Sequence, residues 1–292
     1  MIRLVSLILL LIAWIPAPLR NAKAFVLAWL IQHVIRYRRK VVRSNLHHSF
    51  PEKTPQDLKI IETKFYRHFT RLLLEINAGR ALSNKEMASK VIYKNPEILR
   101  HYLDKGQGVS LVFGHYGNWE WTVGLPLILG YPVLAIYHPL TNPKIDQIMK
   151  KIRSRFGVIP VPMKAIYKEL VRREKAGQPV LTYFAADQSP NRSQIKEYFT
   201  FLNQPTGVFQ GAERIASKLG QAVVFMKMDL IRPGYYEAEF IPLVENAASC
   251  SDNEITMKHL RLLEECIIQR PELWLWTHKR WKHKPLAGDR VH

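Results

Sequence analysis

Three observations predict an α/β fold with a mainly parallel central sheet flanked by helices on both faces. Short apolar runs alternate with segments of helical periodicity from Val109 onward. The runs are solidly apolar rather than alternating, as buried parallel strands are. Of the 292 residues, 47% are hydrophobic, which is ample for a large core. Ahead of this region lies a hydrophobic and basic N-terminus that reads as membrane-anchoring helices.

Leu4 to Leu19 is apolar but for Ser6. As a helix it would span about 24 Å against roughly 30 Å of hydrocarbon, and Pro16 and Pro18 break its end. A second apolar run, Ala24 to Ile35, leads into Arg36-Tyr-Arg-Arg-Lys40 and Arg43. Apolar sequence followed by cations suits an interfacial or shallowly inserted anchor, each cation gaining about 1 kcal/mol from anionic lipid. Two rival readings stay open. Ala22-Lys-Ala24 mimics a signal-peptide cleavage site, though Arg20 and Lys23 are unusual before one, and Arg36 to Arg43 could be a nucleic-acid stripe, which its apolar neighbours argue against.

Thr54-Pro55-Gln-Asp57 is a helix start, after which Leu58, Ile61, Phe65, Phe69, Leu72 and Ile76 hold one face. A shorter helix is expected over Asn95 to Leu103. The alternation then runs through strand Val109–Phe113, helix Trp119–Leu129, strand Pro132–Tyr137, helix Pro143–Phe156 and strand Val158–Val161. It continues with helix Met163–Lys175, strand Val180–Ala186, helix Val208–Leu219, strand Ala222–Met228 and a helix from Glu254; Tyr235–Ile241 alternates in polarity and reads as an edge strand. With no repeat or low-complexity linker, the parse is an anchor over 1–36, one domain over 37–285 and a tail over 286–292.

A net charge of +19 and a pI near 9.9 call for an anionic partner: nucleic acid, anionic lipid or a phosphorylated substrate. The two cysteines, Cys250 and Cys266, make neither a disulfide framework nor a four-ligand metal site, and no metal is expected. Zinc, Walker and Gly-x-Ser-x-Gly patterns are absent.

The candidate chemistry centres on His115-Tyr-Gly-Asn-Trp-Glu120, between the Val109–Phe113 strand with its following Gly114 and the next helix, for which Asn118 is the expected N-cap. A five-residue step on a regular helix would part His115 and Glu120 by roughly 140°, but Gly117 in the turn lets them converge. An imidazole oriented by a carboxylate is a general base near pH 7. The bland alternative is an Asn-capped helix start with a hydrogen-bonded histidine. Ligands collect at the carboxyl ends of parallel strands. His115, Tyr137-His138 and Asp187-Gln188 all fall at such ends. Arg153 and Arg155 flank the apolar stripe Ile145, Ile148, Met149, Ile152, Phe156 and could snorkel, pair with Asp187, or bind phosphate or carboxylate. Trp274, Trp276 and Trp281, set among Lys279, Arg280 and Lys282, suit a lipid-headgroup or substrate-phosphate interface.

His115-x4-Glu120, Arg153-Ser-Arg155-Phe-Gly157, Ala186-Asp187-Gln188 and Pro271-Glu-Leu-Trp-Leu-Trp-Thr-His-Lys-Arg-Trp281, in this order, resemble the lysophospholipid acyltransferase superfamily. More closely they resemble the late (lauroyl and myristoyl) acyltransferases of lipid A biosynthesis. The resemblance implies a glycerolipid-acyltransferase-like fold at the cytoplasmic face of the bacterial inner membrane. It implies transfer of a fatty acyl chain from an acyl carrier protein or coenzyme A thioester to a hydroxyl of a membrane glycolipid, with no other cofactor and no nucleic acid. By the same resemblance His115 is the base and Glu120 fixes its tautomer. Gly117, Asn118, Trp119, Arg153, Arg155, Asp187 and Gln188 contact substrate, the arginines facing phosphates and the amides near Trp119 facing the oxyanion. A non-catalytic basic protein binding membrane or nucleic acid, and an inactive scaffolding homologue, are the competing readings.

Overall fold

The computed structural model describes residues 24–137 and 143–292. The apolar run Leu4 to Leu19, His138 and the side chains of Ile145, Ile148, Met149 and Ile152 lie outside what it describes.

The central sheet has seven strands: β1 (Val91–Tyr93), β2 (Val109–Phe113), β3 (Val133–Tyr137), β4 (Val158–Pro162), β5 (Leu181–Ala185), β8 (Ala222–Arg232) and β9 (Tyr235–Val244), in the order β1-β9-β8-β2-β5-β3-β4. All neighbouring pairs are parallel except β8–β9. Those two are joined through Pro233 and Gly234, the glycine at φ 78°, and so short a link permits only antiparallel pairing.

The sheet has helices on both faces because its central strands are buried on both. Along β2, Val109, Leu111 and Phe113 meet one apolar cluster and Val112 the other. The first cluster is closed by α4 (Glu97–Asp104) and by Trp121, Leu125 and Phe156. The second is closed by α1 (Arg39–Ser49), α2 (Pro55–Ala78), α8 (Gly211–Lys218) and α9 (Glu254–Gln269). α2 begins in a full capping box between Thr54 and Asp57, as the sequence predicts. The remaining helices are α3 (Asn84–Ala88), α5 (Pro126–Leu129), α6 (Pro143–Ser154) and α7 (Ile166–Lys175).

Several expectations are corrected. Tyr235–Ile241 belongs to β9, which is an interior strand: the three-residue β1, too short to leave a periodic signal, covers it. The expected helix Trp119–Leu129 is a 3₁₀ turn, Trp119–Gly124, followed by the single turn α5. Gly124 weakens a helix here and Pro126 removes a backbone donor. A hairpin of β6 (Tyr198–Phe201) and β7 (Gln204–Gly207) turns through Leu202 and Asn203, both at positive φ. The chain end extends it, His292 N–H donating to the Tyr198 carbonyl.

Residues 24–29 are helical and pass into a π turn, Leu30–Val34. Gln32 donates to Thr63 of α2, while Phe25, Val26, Trp29, Val34 and Ile35 are exposed. Among the described residues no helix is long and apolar enough to cross a membrane. The basic run is partly engaged within the protein. Arg39 and Arg43 grip the buried Glu62 at 2.6 and 2.9 Å, and Arg38 donates to the Thr277 carbonyl.

Candidate active site

β2 and β5 are neighbours, and Ala186 N–H donates to the Phe113 carbonyl, so the residues following the two strands meet. At Gly114 an added Cβ would stand 2.5 Å from Leu263 Cδ1 and 3.2 Å from Asp187 Oδ2. Any larger residue here would have to displace the tip of Leu263 on α9 and crowd Asp187. His115 then emerges beside Asp187. Its main-chain N–H donates to Asp187 Oδ2 at 2.8 Å, and its Nδ1 lies 2.5 Å from Oδ1. Trp274 Nε1–H donates to Oδ2 at 2.7 Å.

Burial alone would push the Asp187 carboxyl up. The charge and hydrogen bonds of His115, with the Trp274 donor, outweigh it and hold the group well below the usual carboxylate range. Asp187 is therefore ionised and acceptor-only, so Nδ1 carries the proton and Nε2 the lone pair. Burial pulls the His115 pKa down, but Asp187 and, less strongly, Glu120 raise it above the ordinary histidine value, Arg153 opposing them. The ring is 15% exposed, its Nε2 lies 3.0 Å from Gln188 Nε2, and Trp119 stands edge-on at 4.9 Å.

The expected His115–Glu120 pairing is corrected by this geometry. Glu120 takes a two-point hydrogen bond from Arg153, Nη2 at 2.6 Å and Nε at 3.1 Å, and the acid against the histidine is Asp187. The cause is the turn. Gly117, at φ +63°, packs on Met228, whose carbonyl an added Cβ would approach at 3.0 Å, and the 3₁₀ turn that comes next points Glu120 toward α6. Asn118 stands at the N-cap position of that turn, as expected, but its side chain makes no capping hydrogen bond. It is fully buried and donates to Glu75 Oε2 at 2.9 Å, an oxygen that Tyr236 also reaches at 2.7 Å. His68 Nε2–H donates to the Gly117 carbonyl. Arg155 is exposed and donates to the Arg80 carbonyl, apart from the His115 contacts.

The tryptophan-rich stretch is corrected as well. Trp274 and Trp276 are buried, and Trp281 donates to Thr206, so the stretch is scaffold rather than a surface interface. It hydrogen-bonds the site turn directly, Leu275 N–H to the His115 carbonyl and Gly117 N–H to the Leu273 carbonyl. His68 and Glu75 were not singled out by sequence; Trp274 was read as part of a headgroup or phosphate interface, and His278 lay inside the motif that carried the resemblance without a role beside His115. For His68 and Glu75 the signal was their spacing, seven apart and so on one face of the amphipathic α2. No group of three or more potential metal ligands occurs among the described residues.

An imidazole with a steadied proton on one nitrogen and a lone pair on the other suits proton abstraction from a hydroxyl. Comparison with known proteins supplies the class: the protein is an acyltransferase. The bacterial lipid A biosynthesis acyltransferase family model matches residues 1–283, and the chain belongs to that family. It is 24% identical over 287 residues to the lipid A biosynthesis lauroyltransferase of Escherichia coli (strain K12), covering 95% of this chain and 90% of that one. It is 22% identical over 269 residues to the lipid A biosynthesis palmitoleoyltransferase of the same strain, covering 88% and 83%. To a lipid A biosynthesis acyltransferase of Haemophilus influenzae it is 23% identical over 280 residues, covering 92% and 83%.

Proposed function

We propose that this protein moves a fatty acyl chain from an acyl carrier protein or coenzyme A thioester to a hydroxyl of a lipid A precursor, at the cytoplasmic face of the inner membrane. The observation that carries the mechanism is the 2.5 Å contact between His115 Nδ1 and Asp187. Nε2 takes the acceptor's hydroxyl proton as the oxygen attacks the thioester carbonyl. The tetrahedral intermediate collapses by breaking the C–S bond, and Nε2–H gives its proton to the departing sulfur, which leaves as the thiol and returns the imidazole to its neutral form. No acyl-enzyme forms. Asp187 keeps the ring in the reactive tautomer and stabilises the imidazolium. Gln188, beside Nε2, moves aside as the hydroxyl arrives. Main-chain amides at the start of the Trp119 turn face the oxyanion, and the Glu120–Arg153 pair walls the acceptor side.

Membrane contact falls to residues 24–43, where exposed Phe25, Trp29, Val34 and Ile35 precede the basic run. The family membership and the buried acid behind His115 together favour catalysis over passive binding of the basic chain to lipid or nucleic acid. The test compares membrane lipids by mass spectrometry in cells with the protein, without it, and with His115→Ala. A precursor that accumulates one acyl chain short in the last two supports the reading. Full acylation by His115→Ala rules out the base.

A further inference from the structure

Asp187 sits on a loop, and a base pair that must hold its distance to a few tenths of an ångström needs that loop fixed. Trp274 holds the carboxylate itself. Two residues on, Ser189 N–H donates to His278 Nε2 at 2.9 Å. His278 is in turn held from α1, because Asn45, itself buried, donates from Nδ2 to the carbonyls of both Trp276 and His278 at 2.9 Å. This makes a continuous hydrogen-bonded path from α1 to the acid behind His115.

We propose that His278 is a positioning residue for the reaction: its ring, accepting the Ser189 N–H, clamps the Asp187–Ser189 loop so that Asp187 meets His115. The role requires a lone pair on Nε2, hence a neutral ring. Burial, then the charge of Arg280, pushes the His278 pKa down to about 4, so the ring is neutral at physiological pH. The kinetic part of the inference rests on His115 being the base; the geometric part does not.

Two substitutions separate the clamp from mere packing. His278→Phe keeps a ring of similar volume and removes the acceptor; His278→Gln removes the ring and keeps an acceptor in Oε1. The full-length detergent-solubilised protein is assayed with an acyl-carrier thioester and deacylated lipid A acceptor, and thermal unfolding is recorded alongside. His278→Phe should lower kcat by about 10- to 100-fold, the scale of a 1 Å misplacement, with KM within about twofold of the parent, the catalytic pair rather than substrate binding being disturbed. His278→Gln should recover most of the loss, and Asn45→Ala should fall in the same direction as His278→Phe.

A second readout needs no turnover: the far-downfield proton resonance of His115 Nδ1–H, in protein with 15N-labelled histidine. It should broaden or move upfield in His278→Phe and persist in His278→Gln. Parent-like kcat and resonance in His278→Phe, a Gln variant no better than Phe, or a rise in KM alone would overturn the clamp. Should His278→Phe not fold, the Gln and Asn45→Ala variants decide on the same readouts. An inactive His115→Ala beside an unaffected His278→Phe sinks this inference alone; an active His115→Ala sinks the base and leaves the resonance to judge the clamp.

Discussion

The imidazole of His115 and the carboxylate of Asp187 meet at 2.5 Å although 72 residues separate them in the chain. The carboxylate five residues from His115, Glu120, is held instead by Arg153. This exchange of partners sets which acid faces the imidazole and which is tied to an arginine.

Asp187→Asn should lower kcat by roughly 10²- to 10⁴-fold with little loss of folded protein, because an amide leaves the ring free to adopt the wrong tautomer. The pH profile should move too. The base works only when neutral, and Asp187 raises the His115 pKa, so the parent's activity is lost on the acid side at a pH above the ordinary histidine value. Without that charge the residual activity should persist to lower pH. Steady-state rates from about pH 5 to 9, spanning the ordinary histidine range, check the direction for both proteins; an unmoved acid limb would mean the limb is not His115.

Glu120→Ala and Arg153→Ala should each impair turnover, and the double variant should be little worse than the worse single one. The two side chains share a two-point ion pair, and either loss strands the other charge in a half-buried place. A double-mutant cycle on kcat/KM reads the coupling. Additive losses would show separate roles.

Gly114→Ala should destabilise the fold, since its Cβ would overlap Leu263 at 2.5 Å and crowd Asp187 at 3.2 Å. Overpacking of this kind costs about 1–3 kcal/mol. Leu263→Ala in the same chain should recover part of the thermal stability lost, but less of the activity, because the Asp187 crowding remains. Denaturation midpoints and kcat for the parent and the two variants test this.

Glu75→Gln should be tolerated and Glu75→Leu should not. A glutamine oxygen still accepts from Asn118 and Tyr236, whereas leucine strands two buried donors, each costing about 1–3 kcal/mol. Because Asn118 lies in the site turn, Glu75→Leu should lose activity at temperatures where it remains folded. Circular dichroism and turnover on the same sample separate the two effects.

Much of the fold was legible in the chain because buried parallel strands such as Val109–Phe113 and Leu181–Ala185 are near-continuous apolar runs, broken only by Ser110 and Thr182, and the capping residues of α2 announce its start. The site's neighbourhood was legible for a related reason: parallel strands deliver their C-terminal loops to one edge, which brings His115 and Asp187-Gln188 together. Local signals failed where they were short or were overridden. β1 is three residues long, and Pro126 with Gly124 broke the helix that the pattern of Trp119–Leu129 suggested.

The order of residues along the chain was thus enough for the family, the parallel α/β core and the meeting of His115 with Asp187-Gln188 at one sheet edge, since these depend on motifs, composition and periodicity. Packing in three dimensions selected the acid that serves that histidine and the groups that hold the acid. Gly117's left-handed turn sends Glu120 to Arg153, and buried Trp274 and the ring of His278 fix the loop of Asp187. Hydrogen bonds between residues dozens of positions apart leave no periodic trace in the chain that makes them.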